Sequence, residues 1–108
     1  MNSKIKNENT DFLFSAILKL KDMDECYAFF EDLCTVLEIK AMSQRIAVAK
    51  MLLQKKVYSE IVSKTGASTA TVSRVNRSLQ YGCDAYEKLL RRMGIQIDGV
   101  AGSEADTQ

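Results

Sequence analysis

Three residues late in the chain, Thr69, Ser73 and Arg77, recur at four-residue spacing, which sets them one turn apart on a single helix face. The threonine and serine offer short hydroxyls to base edges, and the arginine offers a guanidinium to a phosphate or a guanine. No acidic residue occurs between Ile61 and Cys83 to oppose them. The chemistry implied is contact with a nucleic acid.

Such a face must be held out by elements on either side, and segment 57–79 has the pattern of a helix-turn-helix. Ile61 and Val62 point inward from a short first helix, Gly66 supplies the turn where a left-handed backbone costs least, and Ser68 is a suitable N-cap for the second helix. Val72, Val75 and Leu79, spaced by three and four, pack that second helix back onto the first. A helical hairpin in a bundle is the plainer reading of such a pattern. The run Ser68-x-x-x-Val72-Ser73-Arg74 after a glycine turn is less common and favours DNA.

Charge supports the same reading, because a net charge of +1 conceals a strong asymmetry. Residues 39–92 hold eleven Lys/Arg against three acids, residues 1–38 hold four against eight, and the tail after Arg92 adds three acids. The middle of the chain is therefore +8, and nucleic-acid affinity follows where charge sits. The alternative is a solvated basic face with no partner.

At 108 residues the chain is expected to form one helical domain over residues 1–95, with an acidic tail, 96–108, expected to be disordered. The absence of proline and the scarcity of glycine before the C-terminal part favour an all-α fold of six helices. The first, about 11–21, carries Phe12, Leu13, Ala16, Ile17 and Leu20 as a broad apolar stripe that needs a partner. The second, 24–33, carries Cys26, Tyr27, Phe29, Phe30 and Leu33, an aromatic cluster expected in the core. Whether residues 19–25 form a turn or a bend in one longer helix is open.

The third helix, from Thr35 to about Lys55, opens on a capping box in which Thr35 and Glu38 exchange bonds. Its stretch 46–53 is apolar on nearly every side, which predicts burial all round and an intimate dimer. Beyond the helix-turn-helix, Tyr81-Gly82-Cys83 ends the helix and Asp84 is expected to cap a last one to about Met93.

Catalysis has little support: the chain has no histidine, no recognisable nucleophile setting and no phosphate-cradling glycine motif. Asp22, Asp24 and Glu25 read as acids opposing a helix dipole. Cys26, Cys34 and Cys83 lack metal-ligand spacing and read as buried thiols of a reducing compartment. No apolar run is long enough for a membrane span or a signal peptide, so a cytoplasmic location, no membrane partner, no metal and no cofactor are expected.

From Thr35 to Met93 the chain resembles the tryptophan-repressor (Trp repressor-like) superfamily, specifically the relatives found in Gram-positive bacteria. Thr35-x-x-Glu38, Ala41-Met-Ser-Gln-Arg45, Leu52-Leu53, Gly66-x-x-x-Ala70-Thr-Val-Ser-Arg74 and Asn76-x-Ser78-Leu79 carry the resemblance, in order and spacing. It implies an intertwined homodimer in which the first three helices of each chain interlock, with two reading heads on a palindromic operator of double-stranded DNA. Such symmetry sets recognition helices in successive major grooves about 34–36 Å apart.

The resemblance also implies a ligand pocket. Arg45 and Arg74 match the two arginines that sandwich the indole of tryptophan, Thr35 matches a residue at the pocket mouth, and Ser78 matches a polar contact to the amino acid. Where the family has a glycine, this chain has Val75, whose branched side chain would occupy the space of the ring at a cost of about 1–3 kcal/mol or exclude it. Asp32 also departs from the apolar group the family tends to place there. Tryptophan is therefore not the expected effector, and the reading is a constitutive DNA binder or one gated by an unknown small molecule. Arg45 then reaches a phosphate or an acid of the partner chain, and Arg74 the DNA backbone.

The expected DNA-reading set is Glu60 and Lys64 on the first helix of the motif with Ser68, Thr69, Ala70, Thr71, Ser73, Arg74 and Arg77 on the second. The family places a base-contacting basic residue where this chain has Glu60, which accepts from cytosine and repels phosphate, so the operator is expected to differ from the tryptophan operator. The expected function is a DNA-binding transcriptional regulator, a repressor acting from a palindrome. The alternative is a helical interaction protein that keeps the fold without sequence-specific DNA binding.

Overall fold

The computed structural model describes residues 4–98. Among them are six helices and no strand: α1 (Glu8–Ile17), α2 (Met23–Leu33), α3 (Val36–Leu53), α4 (Tyr58–Thr65), α5 (Thr69–Tyr81) and α6 (Ala85–Arg92). The chain divides between Ile39 and Lys40 into two compact units.

In the first unit, side-chain caps set the helix starts. Asn7 accepts from the Thr10 N–H at 2.9 Å, which begins α1 three residues earlier than the apolar pattern alone suggests. Asp22 accepts from the Glu25 N–H at 2.9 Å while Glu25 accepts from the Lys21 N–H at 2.9 Å, so the chain turns between α1 and α2. Thr35 and Glu38 form the expected box, with Glu38 Oε1 accepting from the Thr35 N–H at 2.8 Å and Thr35 Oγ1 from the Glu38 N–H at 3.1 Å.

Neither α1 nor α2 contains a buried residue. Phe12 is 78 % exposed and Tyr27 73 %, and the Phe29 and Phe30 rings meet edge to face at 5.5 Å without being buried. The aromatic cluster expected in the core is therefore not buried within one chain.

The second unit contains the buried core. Val48, Ala49, Met51, Leu52 and Leu53 of α3, Ile61 of α4, Val72, Val75 and Leu79 of α5, Leu90 of α6, and Ala67 and Ile97 between and beyond the helices form one cluster. Five consecutive or near-consecutive buried residues on α3 bear out the expectation of a helix surrounded by neighbours. The packed chain runs past residue 95. Ile97 is buried, the Asp98 N–H donates to the Leu53 carbonyl at 2.9 Å and Gln54 donates to the Gln96 carbonyl at 3.2 Å, so residues 96–98 belong to this unit and only 99–108 of the expected tail lie outside the described residues.

Local geometry corrects two further expectations. Asp84 precedes α6 with φ 62°, a left-handed backbone, and makes no side-chain cap. The physical reason is the backbone, because side-chain capping is made from an extended conformation and not from a left-handed one. Cys83 is exposed and Cys26 and Cys34 are half-buried, all three as free thiols, because they lie at helix ends or on the unshielded α2 rather than in the core.

Candidate nucleic-acid interface

The helix-turn-helix is built by local bonds that the sequence makes unavoidable. Thr65 Oγ1 donates to the Ile61 carbonyl at 2.7 Å and accepts from the Ala67 N–H at 3.1 Å, closing the end of α4. Gly66 adopts φ 74°, and its N–H donates to the Val62 carbonyl at 3.0 Å. Gln44 of α3 reaches the Thr65 carbonyl at 3.4 Å and ties the turn to the core helix. Ser68 then caps α5, accepting from the Thr71 N–H at 3.1 Å and donating to the Thr71 hydroxyl at 3.1 Å.

This geometry sorts the expected site residues. Thr69, Ala70, Ser73, Arg74 and Arg77 are exposed on α5, while Val72, Val75 and Leu79 are buried behind them. Ser68 and Thr71 are engaged with one another in the cap. Lys64 Nζ on α4 lies 3.0 Å from Glu60 Oε2. The Lys64 hydrogen bond holds the Glu60 carboxyl below the ordinary glutamate range; partial desolvation opposes this, and the charges of Lys64 and Lys56 assist it.

Of the expected ligand-pocket residues, Arg45 is half-buried on α3, Arg74 and Ser78 are exposed on α5, and Val75 is 1 % exposed. Thr35 belongs to the first unit, where its hydroxyl is engaged with Glu38.

Two features escaped the sequence reading. Tyr58, Ser59, Val62 and Thr69 line a groove of about 490 Å³ between the start of α4 and the start of α5. The four-residue spacing of Tyr58 and Val62 was the available signal. Lys50, Lys56 and Lys64 line a cleft of about 330 Å³ along α3 and α4 with Ala47, Met51, Gln54 and Thr65.

The family model of the Trp repressor protein matches residues 8–94, which covers all six helices of this arrangement. The chain belongs to the Trp repressor family. YerC of Bacillus subtilis strain 168, a protein of uncharacterised function, is 53 % identical over 90 residues, 83 % of this chain and 86 % of that one. A Staphylococcus aureus protein solved as a candidate Trp repressor superposes with a TM-score of 0.85 at 54 % identity, covering 87 % of this chain and 94 % of that one. A TrpR-like protein of Eubacterium eligens ATCC 27750 superposes with a TM-score of 0.85 at 56 % identity, covering 87 % and 97 %. The Trp repressor family is one of DNA-binding regulators, not of enzymes, and the six-helix fold expected from the sequence is its fold. Among the described residues no helix is long and apolar enough to cross a membrane.

Proposed function

We propose that this chain is a dimeric, sequence-specific transcriptional regulator of the cytoplasm, a repressor that occludes a promoter by occupying a palindromic operator without tryptophan. The observation that carries the reading is the two-sided character of α5. Val72, Val75 and Leu79 fasten it to the core, while Thr69, Ala70, Ser73, Arg74 and Arg77 stand exposed with no acid in its first turn. A helix so mounted offers hydroxyls for base edges and guanidinium groups for phosphates. Glu60 and Lys64 stand on the helix before it, and Lys64 is already partnered within the protein.

A second copy of the chain is the partner that the bare stripes of α1 and α2 require. Phe12, Leu18 and Tyr27 are each more than 70 % exposed, an apolar surface of the kind that obligate dimers bury. Two-fold pairing would duplicate α5 and match a palindrome.

Tryptophan independence rests on Val75, which sits in the core where the resemblance calls for a residue without a side chain. The test is sequencing of genomic fragments retained by the purified protein at physiological salt, with and without tryptophan. One palindrome in both samples is the expected result. Enrichment only with tryptophan would overturn the effector reading, and no enrichment would favour a helical interaction protein.

A further inference from the structure

We propose that the groove between the first turn of α4 and the start of α5 seats the edge of a thymine in the DNA major groove, reading its 5-methyl group. This rests on the DNA-binding reading above and adds a specificity determinant to it.

The groove is lined by Tyr58, Ser59, Val62 and Thr69 and has a volume of about 490 Å³. None of the four carries a charge at neutral pH. A phosphate is held by cations, and those of this face stand outside the groove: Arg74 and Arg77 are exposed on α5, and Lys64 is paired with Glu60. The hollow itself is neutral and largely apolar, which suits a base edge better than a phosphate.

Among the four bases only thymine presents a methyl group in the major groove, beside the O4 acceptor. The isopropyl group of Val62, the methyl of Thr69 and the ring of Tyr58 supply apolar contact for the methyl. The exposed hydroxyls of Ser59 and Thr69 supply donors for O4. The hydroxyls could also accept from the amino groups of adenine and cytosine, so the discrimination rests on the methyl group, which neither of those bases carries. Val62 is half-buried and packs against the core, so its position is fixed before DNA arrives. Thr69 is the first residue of α5 and stands where a recognition helix meets base edges.

The experiment uses the full-length protein and duplexes selected by it from a random-sequence pool. Each thymine of the selected site is replaced singly by deoxyuridine, which removes only the methyl group. Expected is one position per half-site at which the replacement weakens binding about fourfold, the worth of one buried methyl. Thr69→Ser and Val62→Ser should each flatten that response, and Thr69→Val should keep it, with helical content and salt dependence unchanged in the Thr69 variants. No position sensitive to methyl removal would overturn the proposal, as would a sensitive position whose response survives both serine variants. Selection of no sequence at all would instead overturn the DNA-binding reading, and this inference with it.

Discussion

Lys64 Nζ lies 3.0 Å from Glu60 Oε2, one turn along α4, with the lysine side chain 65 % exposed and the glutamate 34 %. Glutamate N-terminal to lysine at this spacing is the favourable orientation on a helix. The pair leaves one carboxylate on α4 and occupies the Lys64 ammonium.

Replacing Glu60 with glutamine removes that charge and releases Lys64. DNA affinity should rise for random duplexes while preference at any cytosine that Glu60 reads relaxes, and if the freed lysine takes a phosphate, the slope of log affinity against log salt should steepen by about 0.9. An unchanged affinity and slope in fluorescence anisotropy titrations over a salt series would place Lys64 away from the backbone.

Arg77 and Ser73 are both exposed on α5 and should fail differently. Arg77→Ala should weaken binding to specific and random duplexes alike and lower the salt slope by about one phosphate. Ser73→Ala should instead relax preference at one base pair. The reversed pattern in a selection from randomised operators would show that α5 enters the groove by another face.

The box between Thr35 and Glu38 makes the start of α3 sensitive to acid. The hydrogen bonds from the Thr35 amide and hydroxyl, in that order, hold the Glu38 carboxyl below its ordinary range, with slight desolvation opposing. A carboxyl depressed on folding stabilises at pH above its unfolded value, and that contribution disappears as pH falls through the folded value. The Thr35 amide should therefore lose protection from hydrogen exchange only below the ordinary glutamate range, and Glu38→Gln should remove the dependence.

Two glycines should respond differently to alanine. A Cβ on Gly82 would stand 2.5 Å from the Ser78 carbonyl oxygen, so the end of α5 must shift. At Gly94, φ +79°, nothing lies within 4 Å and only the left-handed backbone resists, at about 1–2 kcal/mol. Thermal unfolding should show a larger loss for Gly82→Ala than for Gly94→Ala; equal losses would mean that the α5 terminus yields freely.

Val75→Gly tests the blocked pocket. The native protein should give no heat on titration with tryptophan, and the glycine variant should bind it if Val75 is the obstruction. The variant should also lose stability, since a glycine inside α5 costs about 1 kcal/mol relative to alanine before any cavity is counted.

Helix ends and turns were legible because their chemistry is local. Ser68 with Thr71, Thr35 with Glu38 and the left-handed Gly66 each need only neighbours within a few residues, and each stands as read. Burial was harder to read. Phe29 and Phe30 have the composition of a core yet are not buried within one chain, and Ile97 looks like tail yet packs beneath the helices. Both outcomes depend on what the chain folds against, which no local pattern encodes. The groove at Tyr58 and Val62 was missed because its fourth wall, Thr69, lies beyond the turn.

Two helices without a buried residue would, with the proposed second copy as their cover, tie this protein's persistence to its abundance. With a second copy as their cover, dilution leaves α1 and α2 open to proteolysis, and association closes them by mass action. On that proposal, chains made singly would be removed while chains made in number would survive in pairs. Expression level would thus act as a threshold: below it the protein would turn over, and above it the protein would accumulate in the proposed form that carries two copies of α5.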